Sequence, residues 1–206
     1  SANVDAGFSI VKTVFGSGDS SLTVGHGLNE APTLAIVKRT DAPEDWYVKY
    51  NFVDGSADQM RLNTTAAQEA ALFIPTSNTV IGFGLTLAAH TTIAYCFHSV
   101  DGYSRIGSYI GTDAPNNVIV TDFEPAFLMI KSTGSTNGEW IIFDNKRNTT
   151  NPRHDVLKAN SSGAETTEAA LDIDFTTNGF ILNGATGAGG RGNINTSNVT
   201  FIFMAF

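Results

Sequence analysis

Several features that define common protein classes are scarce or missing in this 206-residue sequence. Cys96 is the single cysteine, which excludes an internal disulfide framework and a multi-cysteine zinc site. No apolar run is long enough for a membrane-spanning helix. The sequence also does not open with a basic stretch followed by an apolar stretch, which is the pattern of a signal peptide. We therefore expect no membrane insertion. We expect Cys96 to be buried and to pack as a small hydrophobic residue.

The fraction of charged residues is also low, and the net charge is negative. Charged residues make up 16% of the chain, and 12 Lys+Arg face 20 Asp+Glu, for a net charge of −8. Nucleic-acid binding depends on clustered cations that neutralise phosphates, so we expect no nucleic-acid partner. The 14 Phe, 5 Tyr and 2 Trp supply enough apolar surface for a packed core, which excludes a disordered chain.

The pattern that is present is that of short strands. Runs rich in Val, Ile, Phe, Tyr and Thr are bounded by Gly, Pro, Asn and Asp, which predicts an all-β antiparallel sandwich or barrel. Two Ala/Glu-rich segments, 65–72 and 164–171, are the helical candidates. The predicted strands are 8–15, 22–24, 34–38, 46–50, 59–62, 80–85, 92–97, 104–110, 118–120, 127–131, 139–143, 155–158, 179–182 and 199–205.

An internal repeat organises these strands. Segment 31–38 recurs as 124–131, and at similar spacing Trp46, Asn63 and Glu69 recur as Trp140, Asn160 and Glu168. We predict two related antiparallel β-sandwich-like units packed in tandem by internal duplication, spanning 1–98 and 99–206, with a Gly-rich insertion in the second at about 184–192. The alternative is one sandwich whose halves are alike only in composition.

Four aromatic residues are candidates for ligand binding. Trp46, Tyr47, Tyr103 and Tyr109 lie on or beside predicted strands, where an exposed ring could stack on a sugar. The alternative for the duplicated tryptophans is that they anchor the packing of the sheets.

Two carboxylates are candidates for a metal site. Asp172 and Asp174 alternate on one strand face, where they could bind calcium with an oxygen from Asn178 or Asn183. The alternative is a polar, outward-facing strand, and a carboxylate pair for glycoside hydrolysis is the least favoured interpretation. The histidines lack metal-ligand spacing, so we expect them to be core or solvated residues and expect no cofactor.

The sequence resembles a family of domains of unassigned function found in structural and tail-associated virion proteins of tailed bacteriophages. The resemblance covers nearly the whole chain. It rests on Asp5-Ala6-Gly7-Phe8-Ser9, Val24-Gly25-His26-Gly27-Leu28, Gly102-Tyr103-Ser104-Arg105-Ile106-Gly107, Phe123-Glu124-Pro125-Ala126-Phe127, Asn145-Lys146-Arg147-Asn148 and Phe203-Met204-Ala205-Phe206.

The resemblance implies a structural protein of the virion that is exposed at its surface. Our hypothesis is a non-catalytic module that is tail- or fibre-associated and serves host recognition. It implies other virion proteins as partners and a homo-oligomer, for which we expect a trimer because such parts follow the symmetry of the particle. The alternative is a lectin-like module, an adhesin for a host surface glycan. A polysaccharide-degrading enzyme comes third, because no catalytic carboxylate pair or triad stands out in the sequence.

Overall fold

The computed structural model describes residues 1–19, 21–71, 77–84, 89–134, 138–183 and 194–206. These residues are all-β, as predicted, and every strand pairing in its sheets is antiparallel. The Gly-rich insertion predicted at about 184–192 lies outside the described residues. Within the described ranges, no helix has the length and apolar character needed to cross a membrane.

Unit 1 comprises Ser1–Leu62 and Gln68–Val100. Seven of its strands form one sheet in the order β1-β2-β9-β4-β5-β6-β7, and β3 pairs with β8 in a second sheet. The strands are β1 (Ala2–Asn3), β2 (Phe8–Phe15), β3 (Ser21–Gly25), β4 (Leu34–Arg39), β5 (Trp46–Tyr50), β6 (Asp58–Arg61), β7 (Glu69–Ala70), β8 (Val80–Gly84) and β9 (His90–Phe97).

The core of unit 1 follows from the two-residue period of its strands. In β2, Val11 and Phe15 point inward, whereas Lys12 and Val14 between them are exposed. The inward side chains of the larger sheet pack against the β3–β8 pair, which gives a two-layer, sandwich-like unit. The buried cluster contains Val11, Phe15, Leu28, Ala35, Val37, Ile81, Phe83, Ala94 and Cys96.

Unit 2 comprises Asp101–Phe206 together with the short segment Asn63–Ala67. Its sheets have the orders β10-β18-β12-β13-β14-β15 and β11-β17-β16. The strands are β10 (Arg105–Ile110), β11 (Asn117–Val120), β12 (Phe127–Ser132), β13 (Ile141–Asp144), β14 (Asp155–Lys158), β15 (Thr166–Thr167), β16 (Ile173–Thr176), β17 (Gly179–Leu182) and β18 (Thr200–Ala205).

The core of unit 2 is richer in aromatic rings. Tyr109 stacks on Phe201 with ring centroids 5.1 Å apart, and Phe180 packs edge-on against Phe203 at 5.4 Å. Further apolar residues of unit 2 fill the space around these rings. The buried members include Ile119, Leu128, Ile130, Ile141, Phe143, Val156, Leu171, Ile173, Phe175 and Leu182.

The larger sheets of the two units share the order of six strands, and β4 pairs with β9 in the same register as β12 pairs with β18. Ala35 lies opposite Cys96 between β4 and β9, and Leu128 lies opposite Ala205 between β12 and β18, as the sequence repeat aligns these residues. Before the first long strand of each sheet, Gly7 and Gly102 both have positive φ. A Cβ on Gly7 would lie 2.6 Å from the carbonyl oxygen of His98, so a side chain there would clash with the backbone.

The two helical candidates are wrong over their described residues. In segment 65–71 the regular structure is β7, and in segment 164–171 it is β15 followed by one turn of 3-10 helix, Ala169–Leu171. Two turns of Ala/Glu-rich helix are marginal alone, and here the chain instead pairs with the exposed edges of β6 and β14. Residue 72 lies outside the described ranges.

Candidate functional site

Trp46 is the candidate aromatic residue of unit 1 that the structure leaves most exposed. It begins β5, has 36% of its surface exposed, and stacks on Tyr95 of β9 with ring centroids 6.4 Å apart and planes inclined by 23°. The tyrosine beneath the indole fixes the orientation of a ring that would otherwise lose rotamer freedom on binding a ligand.

Strand register places two lysines in a row with this tryptophan. Lys12 lies opposite Ile93, Ile93 lies opposite Lys38, and Lys38 lies opposite Trp46. Directly opposed residues project from the same side of a sheet, and Tyr95, two positions after Ile93, shares that side. We call Lys12, Lys38, Trp46, Ile93 and Tyr95 the Trp46 face.

The Trp46 face combines apolar rings with positive charge on an acidic chain. Lys12 is exposed, and Lys38 is partly exposed with its Nζ donating to the carbonyl oxygen of Glu44 at 2.9 Å. Adjacent strands are spaced about 4.8 Å apart, so the row from β2 to β5 spans about 14 Å. An amphipathic ligand of that length could stack on the indole and accept hydrogen bonds from both ammonium groups.

Tyr47 does not contribute to the Trp46 face, and its ligand-binding role stays a prediction. Consecutive residues of a strand point to opposite sides of the sheet, and Tyr47 packs against the unit 1 core. The guanidinium of Arg61 lies 5.9 Å from the Tyr47 ring centroid and is paired with Asp45 at 3.0 Å and Glu69 at 2.9 Å. Tyr47 therefore has a structural role in its sheet.

The two candidate tyrosines of unit 2 differ in accessibility. Tyr103 is 51% exposed and contacts Phe206 edge-on at 6.4 Å, so its ring is available to a ligand. Tyr109 is only 9% exposed and stacks within the core, and its hydroxyl donates to the carbonyl oxygen of Ile194. The prediction that Tyr109 binds a ligand is wrong, because its strand directs the ring inward.

Asp172 and Asp174 flank Ile173 at the start of β16, but the structure gives them different partners. Asp172 Oδ1 lies 3.6 Å from His154 Nδ1, and Asp174 Oδ2 accepts a hydrogen bond from Asn183 at 2.7 Å. No group of three or more His, Cys, Asp or Glu suited to a metal ion occurs in the described parts of the chain. Each carboxylate therefore lies beside a side chain of the protein, and the calcium site stays a prediction.

The buried histidine and cysteine side chains are structural. His26 is buried, accepts the Leu28 N–H on Nδ1 at 3.1 Å and donates from Nε2 to the Ser77 carbonyl oxygen at 3.0 Å, which fixes the orientation of its ring. Cys96 is buried as predicted, and desolvation raises the pKa of its thiol to about 11. A thiol with that pKa stays protonated near neutral pH and is a poor nucleophile.

The sequence pattern identified Trp46 but missed the rest of its face. Alternation in 90–97 could have placed Ile93 and Tyr95 together on one side of a strand, and the same rule separates Trp46 from Tyr47. Which strands are neighbours, and hence which lysines flank Trp46, depends on the order of strands in the sheet. That order is not encoded in any local pattern.

Comparison with known proteins gives one finding. A protein-family model described as "Domain of unknown function (DUF7483)" matches residues 1–206. No curated protein and no solved structure matches the chain.

Proposed function

This chain belongs to the family described as Domain of unknown function (DUF7483), and on the separate ground of its motif resemblance we propose that it is a non-catalytic structural module of a phage virion. In this proposal the module is exposed on the tail or fibre and takes part in host recognition by binding a surface glycan. The observation that carries the recognition role is the exposed indole of Trp46, stacked on Tyr95 and aligned with Lys12 and Lys38.

The proposed module is a tandem duplication. Common strand order and the common register of β4–β9 and β12–β18 support that origin, because unrelated sandwiches have no reason to pair equivalent positions. The hairpin neighbours agree as well: Tyr47 lies opposite Arg61 in unit 1, and Ile141 lies opposite Lys158 in unit 2. Two copies of an all-β scaffold suit a repeated, mechanically passive part of a particle.

The Trp46 face has the two kinds of contact that a sugar polymer requires. The indole offers a flat apolar surface for the C–H groups of a pyranose ring, and the lysine ammonium groups offer donors to hydroxyl or carboxylate oxygens. Equivalent chemistry is not duplicated in unit 2, where the matching Trp140 is 1% exposed. The binding function is therefore proposed for unit 1.

A glycan array probed with the full chain tests the recognition role. We expect binding that Trp46→Ala abolishes, while Tyr103→Ala, which removes an exposed ring elsewhere on the chain, leaves it unchanged. Equal binding by the wild type and Trp46→Ala would contradict the role assigned to the Trp46 face.

Gold-labelled antibody on intact virions tests the location. We expect labelling of the tail or its fibres, and particles that bind no antibody on tail or capsid would contradict a virion role. Light scattering of the purified chain tests the proposed homo-oligomer, for which a trimer is expected. Turnover of a host polysaccharide that exceeds the buffer rate would overturn the non-catalytic assignment in favour of a depolymerase.

A further inference from the structure

Strand β11 of unit 2 has one edge that no strand of the described residues occupies. It lies first in the sheet order β11-β17-β16, with its partner β17 on one side only. Its two outward side chains are apolar: Val118 is 60% exposed and Val120 is 49% exposed, whereas Ile119 between them is buried. An exposed apolar edge of this kind is a template for pairing with another strand.

The hydrogen bonds of β11 show which of its backbone groups face this free edge. The N–H of Thr121 donates to the carbonyl oxygen of Asn178, the residue before β17, at 3.0 Å. A Cβ added at the first residue of β17 would lie 2.0 Å from the carbonyl oxygen of Ile119. Thr121 and Ile119 therefore direct their backbone groups towards β17. Since these directions alternate along a strand, the N–H and C=O groups of Val118 and Val120 face the free edge.

The backbone on either side of β11 limits how another strand can pair with it. Asn116 and Asp122 have positive φ angles of 62° and 69°, so the extended segment lies between them. Two copies of this segment can pair antiparallel with both Val118 and Val120 bonded only when the pairing is centred on Ile119. Val118 then lies opposite the partner's Val120, and the two residues that face the free edge in one copy meet the same two in the other.

Charge favours a second copy at this edge. The chain has a net charge of −8, so two copies repel each other on average. Segment 114–121 contains no charged residue. In the pairing centred on Ile119, Asp122 at one end of the segment lies opposite the partner's Asn116, so the carboxylates of the two copies are not opposed there.

We propose that a second copy of this chain pairs with β11 about a two-fold axis through Ile119. The N–H and C=O groups of Val118 bond to those of the partner's Val120, and the reverse, which joins the two three-stranded sheets into one. Paired strands of this length bury little area, so the contact is weak and forms at high local concentration, as on a repeated assembly. It goes beyond the proposed function, because a trimer around a three-fold axis does not use a two-fold contact.

The corresponding strand of unit 1 provides a matched control. Thr23 of β3 corresponds to Val120 of β11, because each follows the residue that is paired with a buried phenylalanine of the neighbouring strand, Phe83 or Phe180. Thr23 is exposed, as Val120 is, but its hydroxyl makes it polar. The same substitution can therefore be made at an equivalent exposed position that lacks the apolar contact.

Amide hydrogen exchange of the full chain, measured by NMR at micromolar and at millimolar concentration, tests the contact. We expect the amides of Val118 and Val120 to exchange rapidly in the dilute chain and several-fold more slowly in the concentrated one. The amide of Thr121 is already bonded on the β17 side, so its exchange should not depend on concentration.

Two variants separate this pairing from other self-association. Val120→Pro removes an N–H that faces the free edge and leaves the bonds to β17 in place, and Val120→Lys adds a charge beside the axis while keeping every backbone group. Each should abolish the slower exchange of Val118 at high concentration. Thr23→Lys makes the same charge change in unit 1 and should behave as the wild type does.

Two results would overturn the inference. One is a wild type in which the amides of Val118 and Val120 exchange at the same rate at both concentrations, which would leave the edge to a strand of a different protein. The other is slower exchange of Val118 that persists in Val120→Lys, which would place the self-association on another surface. Neither result bears on glycan binding by the Trp46 face, so failure of this inference is distinguishable from failure of the proposed function.

Discussion

The side chain of Asn151 forms with the backbone of Phe175 the two hydrogen bonds that a neighbouring strand would form. The Asn151 Oδ1 accepts the Phe175 N–H at 3.0 Å, and the Asn151 Nδ2 donates to the Phe175 carbonyl oxygen at 2.8 Å. Two residues on, the backbones of Arg153 and Ile173 exchange both of their hydrogen bonds, at 2.7 and 3.1 Å. A side chain and a short main-chain segment together therefore satisfy the free edge of β16.

Replacement of Asn151 by Ala removes both partners of the Phe175 backbone. Phe175 is buried, and an unsatisfied buried polar group costs about 1–3 kcal/mol, so we expect the free energy of unfolding to fall by about 2 kcal/mol or more. Urea unfolding followed by circular dichroism measures this change. Asn183→Ala, which removes a single bond to the partly exposed Asp174, should cost under about 1 kcal/mol, and an equal loss in both variants would contradict the pairing role.

The two tryptophans should differ in access to a collisional quencher. Trp46 is partly exposed and Trp140 is buried, so acrylamide should quench the wild-type fluorescence as two populations. Trp46→Phe should leave only the protected emission, and Trp140→Phe only the accessible emission. The opposite assignment, or one uniform population in the wild type, would mean that the indole of Trp46 is not exposed to solvent.

Strand positions were predictable here because apolar alternation and turn residues are local signals. The predicted segments 8–15, 46–50, 155–158 and 179–182 coincide with β2, β5, β14 and β17. The short edge strands β7 and β15 were not predicted, because a two-residue strand is too short to show an alternating pattern. Such a strand forms only by pairing with a neighbouring strand. Tyr109 and Trp46 are both aromatic residues of predicted strands, so the sequence does not distinguish them. Tyr109 is buried and Trp46 is exposed because burial depends on which side of the sheet the second layer covers.

The Cys96 thiol should make the protein less stable in alkali. Burial raises its pKa from 9.0 to about 11, with a hydrogen bond to Ser9 acting in the opposite direction. The folded state therefore holds a proton that the unfolded state releases above pH 9, so this contribution is complete below pH 9 and lost as pH rises through 11. The expected loss is about 1 kcal/mol by pH 10.

Comparison with Cys96→Ala isolates the thiol from the other groups that titrate in this range. The free energy of unfolding of the wild type should fall more between pH 7.5 and pH 10 than that of the variant, by about 1 kcal/mol. Chemical denaturation at the two pH values gives both differences. Parallel declines would show that the thiol has the same pKa in the folded and unfolded chains.

The lysines of the Trp46 face should select acidic sugar polymers over neutral ones. Lys12 and Lys38 flank Ile93 in the row that ends at Trp46, and an ammonium group bound to a carboxylate forms a stronger hydrogen bond than one bound to a hydroxyl. Replacing both lysines by Glu should weaken binding of a uronic acid polymer by roughly tenfold or more, equivalent to about 1.4 kcal/mol, and should affect a neutral polymer less.

Salt and a distant charge reversal provide the controls for that prediction. Exposed charges are screened over about 8 Å at physiological ionic strength, so added salt should reduce acidic-polymer binding by the wild type and have little effect on the double variant. Lys146→Glu changes the net charge from an exposed turn in unit 2 and should leave binding unchanged. If Lys146→Glu weakened binding as much as the double variant, net charge would explain the preference and the row beside Trp46 would not.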